Sequence, residues 1–262
     1  MKIGIFGDSF ADNKTGGEPI YQETSWPSLL SNKFDVTNYS KAGSGLEYSL
    51  EQIFLHADKF DKIIFVSTSP QRMMINEDHH HKLIQDEEDD MTLWHHIRPV
   101  DLRERKVNGK EDKFYNMALK VAQQYSDLFV KNDHLDMRVA LIWKALKAHY
   151  GDKLLLLYMA VPETGGYIGQ KFLRRYNIWP DNEMSLYDIT DYENQLIFGK
   201  NPYNPEYDRR SCHITHWHHN MLYEKMLRWI HSGEFSLTAK DLVEIKLEEI
   251  FEMYHGPWIK KI

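Results

Sequence analysis

The sequence predicts an α/β protein of three layers, with helices on both faces of a mainly parallel sheet. Three observations lead there. Short apolar runs recur between turn residues, as strands buried on both faces require. Stretches with helical spacing alternate with them, and the composition is that of a chain able to bury a large core. The 262 residues are 42% hydrophobic and 13% aromatic, which suits one large domain.

The expected strands are Lys2 to Gly7, Asp35 to Ser40, Lys62 to Ser69 and Lys153 to Ala160. Between them, Trp26, Leu29 and Leu30 share one helical face, and Leu50, Ile53, Phe54 and Ala57 share another. The third and fourth strands stand 83 residues apart, far more than one crossover helix needs, so an insertion is expected at about 73–150. It opens with the acidic, histidine-rich "NEDHHHKLIQDEEDD" and closes with two expected helices, Lys113 to Lys131 and Leu135 to Tyr150. Beyond the fourth strand, Met184 to Asp191 reads as a short fifth strand, Trp217 to His231 as a helix and Lys240 to Tyr254 as a last amphipathic helix. The main domain is thus expected over 1–233, with a helical extension over 234–262. Leu242, Ile245, Leu247 and Ile250 form the apolar stripe of that extension, expected to dock on the domain or on a partner subunit.

Charge and composition narrow the function. A formal net charge of -7 with no basic stripe argues against a nucleic-acid binder, which must neutralise phosphates. A single cysteine, Cys212, leaves no disulfide framework and no cysteine-rich metal site. No apolar run reaches 18 residues and no signal-peptide pattern opens the chain, so no membrane association is expected and a cytoplasmic or virion-associated location is. The clusters His79–His81 and His213, His216, His218, His219 raise the question of a metal. Zinc needs ligands on one face; only His216 and His219 are spaced i, i+3 within the helix, and Asn220 stands where a further ligand would. No metal and no cofactor are expected. A nucleotide-binding reading fails for want of a glycine-rich phosphate loop.

Chemistry is expected at the carboxyl ends of the strands, where parallel sheets bind ligands. The first strand runs into Gly7-Asp8-Ser9-Phe10, the second into "SKAGSG" with Gly43 and Gly45, and the third into "STSPQR" with Ser69 and Arg72. Late in the chain, His213 stands just before a helix. A serine nucleophile needs a base within hydrogen-bond reach and N–H donors for the oxyanion.

These blocks resemble the SGNH or GDSL hydrolases: Gly7-Asp8-Ser9-Phe10, then Asn38-Tyr39-Ser40-Lys41-Ala42-Gly43, then Cys212-His213-Ile214-Thr215 ahead of a C-terminal helix. The resemblance spans roughly 1–72 and 184–231. It implies a flavodoxin-like α/β/α sandwich and a serine esterase or deacylase acting on a small acyl ester, such as an acylated carbohydrate. Ser9 would be the nucleophile and His213 the base. The backbone N–H groups of Ser9 and Gly43 would form the oxyanion hole, with Ser69 at the position where the family carries an Asn. Asp8, Phe10, Gly45 and Arg72 are the expected substrate contacts. The family's acid stands two or three residues before the His, positions held here by Ser211 and Arg210; either Asp208, five residues back, or a backbone carbonyl would orient His213. The third block, Thr68-Ser69-Pro70, resembles divergent, often phage-encoded, members. The alternative is a virion-associated or scaffold module that keeps the fold with little catalysis, engaging a second copy or a virion partner through the C-terminal helix.

Overall fold

The computed structural model describes residues 1–13, 23–42, 44–68, 73–74, 96–97, 106–107, 110–111, 120, 132–159, 180–198 and 214–246. Four strands form one parallel sheet: β1 (Lys2–Phe6), β2 (Asp35–Asn38), β3 (Lys62–Ser67) and, after four two-residue strands, β8 (Leu154–Tyr158). The small strands β4 (Met73–Met74) and β5 (His96–Ile97) pair antiparallel, as do β6 (Lys106–Val107) and β7 (Lys110–Glu111). The sheet order is β2-β1-β3-β8, with Ile3 beside Val36, Ile5 beside Ile64 and Phe65 beside Leu156.

Alternation along each strand sends side chains to two separate cores. Ile3, Ile5, Ile64, Val66, Leu155 and Leu157 face one side. There they meet Trp26 and Leu30 of α1 (Trp26–Ser31), Leu186 and Ile189 of α4 (Leu186–Phe198), and Leu222, Met226, Trp229 and Ile230 of α5 (His216–Ser232). Phe6, Ile63, Phe65, Leu154, Leu156 and Tyr158 face the other side, against Leu46 and Ile53 of α2 (Leu46–His56) and Val139, Ala140, Trp143 and Leu146 of α3 (Asn132–Tyr150). This is a three-layer α/β/α arrangement, as expected. Each fully buried Ile or Leu contributes on the order of 1.5–3 kcal/mol, so the two-sided core is what holds the sheet.

The connection from β1 to β2 runs through α1 on the first face, and the connections from β2 to β3 and from β3 to β8 take in α2 and α3 on the second. The chain therefore departs to opposite faces from adjacent strands β1 and β3. Their carboxyl ends flank a topological switch point, where open α/β sheets form their ligand crevice.

Two expected elements differ in kind. Met184 to Asp191 is no strand: α4 begins at Leu186. Its first turn is closed reciprocally, the Asp188 N–H donating to Ser185 Oγ (3.1 Å) and the Ser185 N–H to Asp188 Oδ2 (2.8 Å). That capping box starts a helix where a strand was expected. The edge of β8 is satisfied instead by the Asp181 N–H, which donates to the Leu156 carbonyl (2.8 Å), and by side chains. Asn182 accepts from the Tyr158 N–H (2.9 Å) and donates to the Tyr158 carbonyl (3.0 Å), while Asp181 Oδ2 takes the Leu156 N–H (2.6 Å). The described part of the last expected helix, 240–246, is likewise not α-helical. A single 3-10 turn, Ala239–Asp241, is capped by Thr238, and the chain then runs on irregularly. Leu242 and Ile245 do lie against the domain, Leu242 on the first core and Ile245 buried. The expected helix Lys113 to Lys131, apart from Lys120, and Leu247 and Ile250 lie outside the described residues.

α5 ends as its sequence dictates. Gly233 adopts φ 77°, a left-handed conformation open to glycine, and donates its N–H to the Trp229 carbonyl (2.8 Å). Among the described residues, no helix is long and apolar enough to cross a membrane.

Candidate active site

The turn after β1 is built on Asp8. Its carboxylate, with 0% exposure, accepts from the Phe10 N–H (3.1 Å) and from Thr68 Oγ1, just beyond β3 (2.8 Å). Its carbonyl accepts the N–H groups of Ala11 and Asp12, both at 3.0 Å. Ser9 is thereby carried, half-buried, at the tip of a tight turn pinned to both strands of the switch point. Gly7 makes the turn fit, because a Cβ there would stand 2.9 Å from Val66 Cβ and 3.0 Å from the Val66 carbonyl oxygen.

The turn after β2 is laced onto the same loop. Lys41 N–H and Ser44 Oγ both donate to the Gly7 carbonyl at 3.2 Å. Asn38 Nδ2 donates to the Ala11 carbonyl (2.7 Å) while its Oδ1 accepts the Ser40 N–H (2.9 Å), and the Ala42 N–H donates to Asp12 Oδ2 (2.9 Å). Ala42 and Ser44, the neighbours of Gly43, are thus both tied to the Ser9 loop. Three hydroxyls near Ser9 are committed elsewhere, Ser44 to Gly7, Thr68 to Asp8 and Ser67 to the Trp143 indole N–H at 3.0 Å, while the buried Ser40 hydroxyl has no hydrogen-bond partner among the described residues. Among the described residues, Ser9 Oγ has no such commitment.

The start of α5 reaches this loop through Trp26. The Trp26 indole N–H donates to the Phe10 carbonyl (2.9 Å), and its backbone N–H donates to His219 Nδ1 (3.3 Å). An accepting Nδ1 leaves the His219 proton on Nε2. Two residues thus span from the loop of Ser9 to the first turn of α5, the helix that His213 precedes in the chain.

Three expected substrate contacts have a different job. Asp8 is buried and directed into its own turn, so it builds the loop instead of facing a ligand. The Phe10 side chain, 7% exposed, belongs to the first core. Gly45 is buried as the N-cap of α2, its carbonyl accepting from the Ser49 N–H and hydroxyl, both at 3.4 Å. Gly43, Ser69, Arg72, Asp208 and His213 lie outside the described residues. Beside the loop, burial pushes the Tyr48 phenol up from its ordinary value, and the nearby Asp12 and Glu51 carboxylates add to the effect. Tyr48 therefore stays protonated and neutral through the physiological range.

Sequence reasoning missed the buried cluster of Glu193, Thr215 and His218, all with 0% exposure. Glu193 on α4 accepts the Thr215 N–H with both oxygens (2.9 and 3.0 Å) and takes the Thr215 hydroxyl and His218 Nδ1, each at 2.5 Å. His218 Nε2 accepts the Val243 N–H (3.1 Å). A backbone N–H only donates, so the His218 proton must sit on Nδ1. The signal was present as a carboxylate on the apolar face that Leu186 and Ile189 define, seven residues after Leu186.

A cavity of about 420 Å³ lies at the amino end of β8, lined by Lys147, Asp152, Leu154, Asp181, Trp229 and Phe235 among others. That is the opposite end of the strands from Ser9, and the Lys147–Asp181 ion pair (2.6 Å) engages two of its three charged lining residues. Among the described residues, no group of His, Cys, Asp and Glu is arranged to hold a metal ion. No protein-family model matches the chain, and no curated protein matches it.

Proposed function

We propose that the chain is a serine esterase or deacylase of the SGNH type, acting on a small acyl ester such as an acylated carbohydrate. The observation that carries this reading is the Ser9 turn. It holds a half-buried hydroxyl, uncommitted among the described residues, at the switch point of a parallel sheet, and the loop that carries it is bonded to Ala42 and Ser44 of the second turn and linked through Trp26 to the start of α5. His213 takes the Ser9 proton as Oγ attacks the ester carbonyl, the alcohol leaves with that proton, and water activated by His213 releases the acyl group. The backbone N–H groups of Ser9 and Gly43, with the Ser69 hydroxyl, receive the oxyanion; one such donor is worth about 3 kcal/mol of transition-state stabilisation. Asp208 or a carbonyl orients His213. The chemistry asks for no metal or cofactor, and a cytoplasmic or virion-associated setting suits it.

A second reading, a binding or scaffold module on the same fold, is favoured by one observation. α2 and α3, joined by the Arg138–Glu47 ion pair, present Phe54 at 76% exposure, Leu55 at 59%, Leu141 at 55% and Met137 at 38%. Large exposed apolar side chains on two joined helices suit a protein partner.

A fluorophosphonate probe and a short-chain aryl ester separate the two. The wild type is expected to label and turn over, and Ser9→Ala to lose both by at least about 10³-fold. A wild type that neither labels nor turns over, with an intact circular dichroism spectrum, leaves the binding module as the reading.

A further inference from the structure

We propose that Glu193 is a positioning residue for the His213 side of the site, holding the entry to α5 through Thr215; this rests on the Ser9 and His213 reading above. Thr215 is the N-cap residue of α5, yet its hydroxyl makes no capping bond to the helix. It donates to Glu193 instead, as does its backbone N–H. In an ordinary capping box the side chain at the third helical position reaches back to the N-cap N–H. That position is His218, whose Nδ1 carries a proton because Nε2 is taken by the Val243 N–H. An N–H cannot accept from another N–H. The Glu193 carboxylate stands between them and accepts from both, so the box is completed from a different helix.

The arrangement specifies geometry more than it adds stability. A well-packed apolar side chain serves the stability of a buried site as well as a carboxylate does, or better. A carboxylate that takes an N–H, an O–H and an imidazole N–H fixes the Thr215 backbone in both position and orientation. Water cannot replace these bonds, since all three residues are fully buried. His213 stands two residues earlier in the chain, and two residues reach about 7 Å at most. Whatever holds Thr215 therefore bounds where the main chain of His213 can be. His218 itself is not a base in this scheme, because both of its ring nitrogens are engaged.

The test compares wild type with Glu193→Gln and Thr215→Val. The amide keeps the volume of the carboxylate and, with its oxygen at the Oε1 position that takes the Thr215 hydroxyl and His218 Nδ1, turns an NH2 toward the Thr215 N–H that Oε2 accepts in the wild type, while valine keeps the Thr215 N–H and removes its hydroxyl. For Glu193→Gln, kcat on the aryl ester and the rate of fluorophosphonate labelling are expected to fall together by about 10- to 100-fold, the scale of a misplaced catalytic group, with KM held within about twofold. Thr215→Val is expected to lose several-fold less than Glu193→Gln. Amide hydrogen exchange over 213–219 rises in both, with β1 and β3 unchanged. An active wild type with Glu193→Gln at the same kcat overturns the positioning role and leaves the esterase reading intact. A KM rise at constant kcat, or a kcat loss equal to the loss of folded protein, does the same. A wild type without labelling or turnover overturns the esterase reading, and the role of Glu193 with it.

Discussion

Asp8 and Glu193 are both fully buried carboxylates, one on the turn after β1 and one on α4, and they are satisfied by different routes. Asp8 bonds to the N–H two residues on and to Thr68 on the neighbouring strand, so half of its environment comes with its own turn. Glu193 draws on residues 22 and 25 positions away, and on none of its immediate neighbours in the bonds that define the cluster. The first carboxylate shapes a loop that can begin to form locally. The second meets its partners Thr215 and His218 only when α4 and the start of α5 have come together, so it marks tertiary structure.

The sharpest way to break this comparison is to delete each carboxylate. Glu193→Ala strands three buried donors at once, and loss of one member of a buried charged cluster costs about 3–5 kcal/mol. Urea unfolding is expected to show that loss in the midpoint. Asp8→Ala strands the Phe10 N–H and the Thr68 hydroxyl, and about 3 kcal/mol is expected. The kinetic signatures should differ as well. Because part of the Asp8 turn can form locally, its loss is expected to slow refolding, whereas loss of Glu193 is expected chiefly to speed unfolding. Equal effects of both substitutions on the folding limb of a chevron plot would remove the distinction.

The same contrast explains which parts of the molecule the sequence revealed. β1, β3 and β8 were visible because strands covered on both faces demand nearly unbroken apolar runs, whereas the half-exposed edge strand β2 carries Val36 as its one apolar residue; all four lie within the expected spans. The turn residues around Ser9 were visible because Gly7, Asp8 and the 38–45 block act over two to four residues. Asp8 and Phe10 were expected to face a ligand but are turned into the fold, since residue type does not reveal which way a side chain is turned. Glu193 was invisible for a compound reason. Reading Met184 to Asp191 as a strand hid the Ser185–Asp188 box, and with it the helical face on which Glu193 sits. Its partners are fixed by tertiary contact, which local spacing does not encode. The 3-10 turn at Ala239–Asp241 was hidden similarly: the apolar stripe was real, but Leu242 and Ile245 reach the domain from an irregular chain that Val243 anchors to His218.

Between these extremes stands Asn182, bonded both to nearby Met184 (2.9 Å) and to distant Tyr158. It serves as a one-residue substitute for a strand on the edge of β8. Asn182→Ala leaves the Tyr158 N–H and carbonyl without that partner at a buried edge and is expected to cost about 2 kcal/mol. It should also raise aggregation, because an uncovered edge strand offers its backbone to other chains. A drop in the urea midpoint without any change in light scattering on heating would show that the edge is guarded by something other than Asn182.

The smallest effect belongs to a carboxylate that is neither buried nor central. Asp241 caps the 3-10 turn and pairs with Lys225 of α5 at 2.7 Å. Partial burial of its carboxyl works to raise its pKa, but hydrogen bonds from Lys225 and Thr238 and the Lys225 charge outweigh it and hold the group below its ordinary 3.8. A depressed carboxylate pKa means that the stabilisation is present above the unfolded-state value and is lost as pH falls through the folded one. Asp241→Asn is therefore expected to lower stability by at most about 1 kcal/mol at neutral pH, since a partly exposed pair is screened by solvent. The gap from wild type should stay constant down to about pH 5 and close as pH drops below the carboxylate range. Thermal melts across that window measure it. A gap that persists unchanged at low pH would mean that Asp241 acts through its shape within the Thr238 turn, and that its charge on Lys225 contributes nothing to holding the chain after α5 in place.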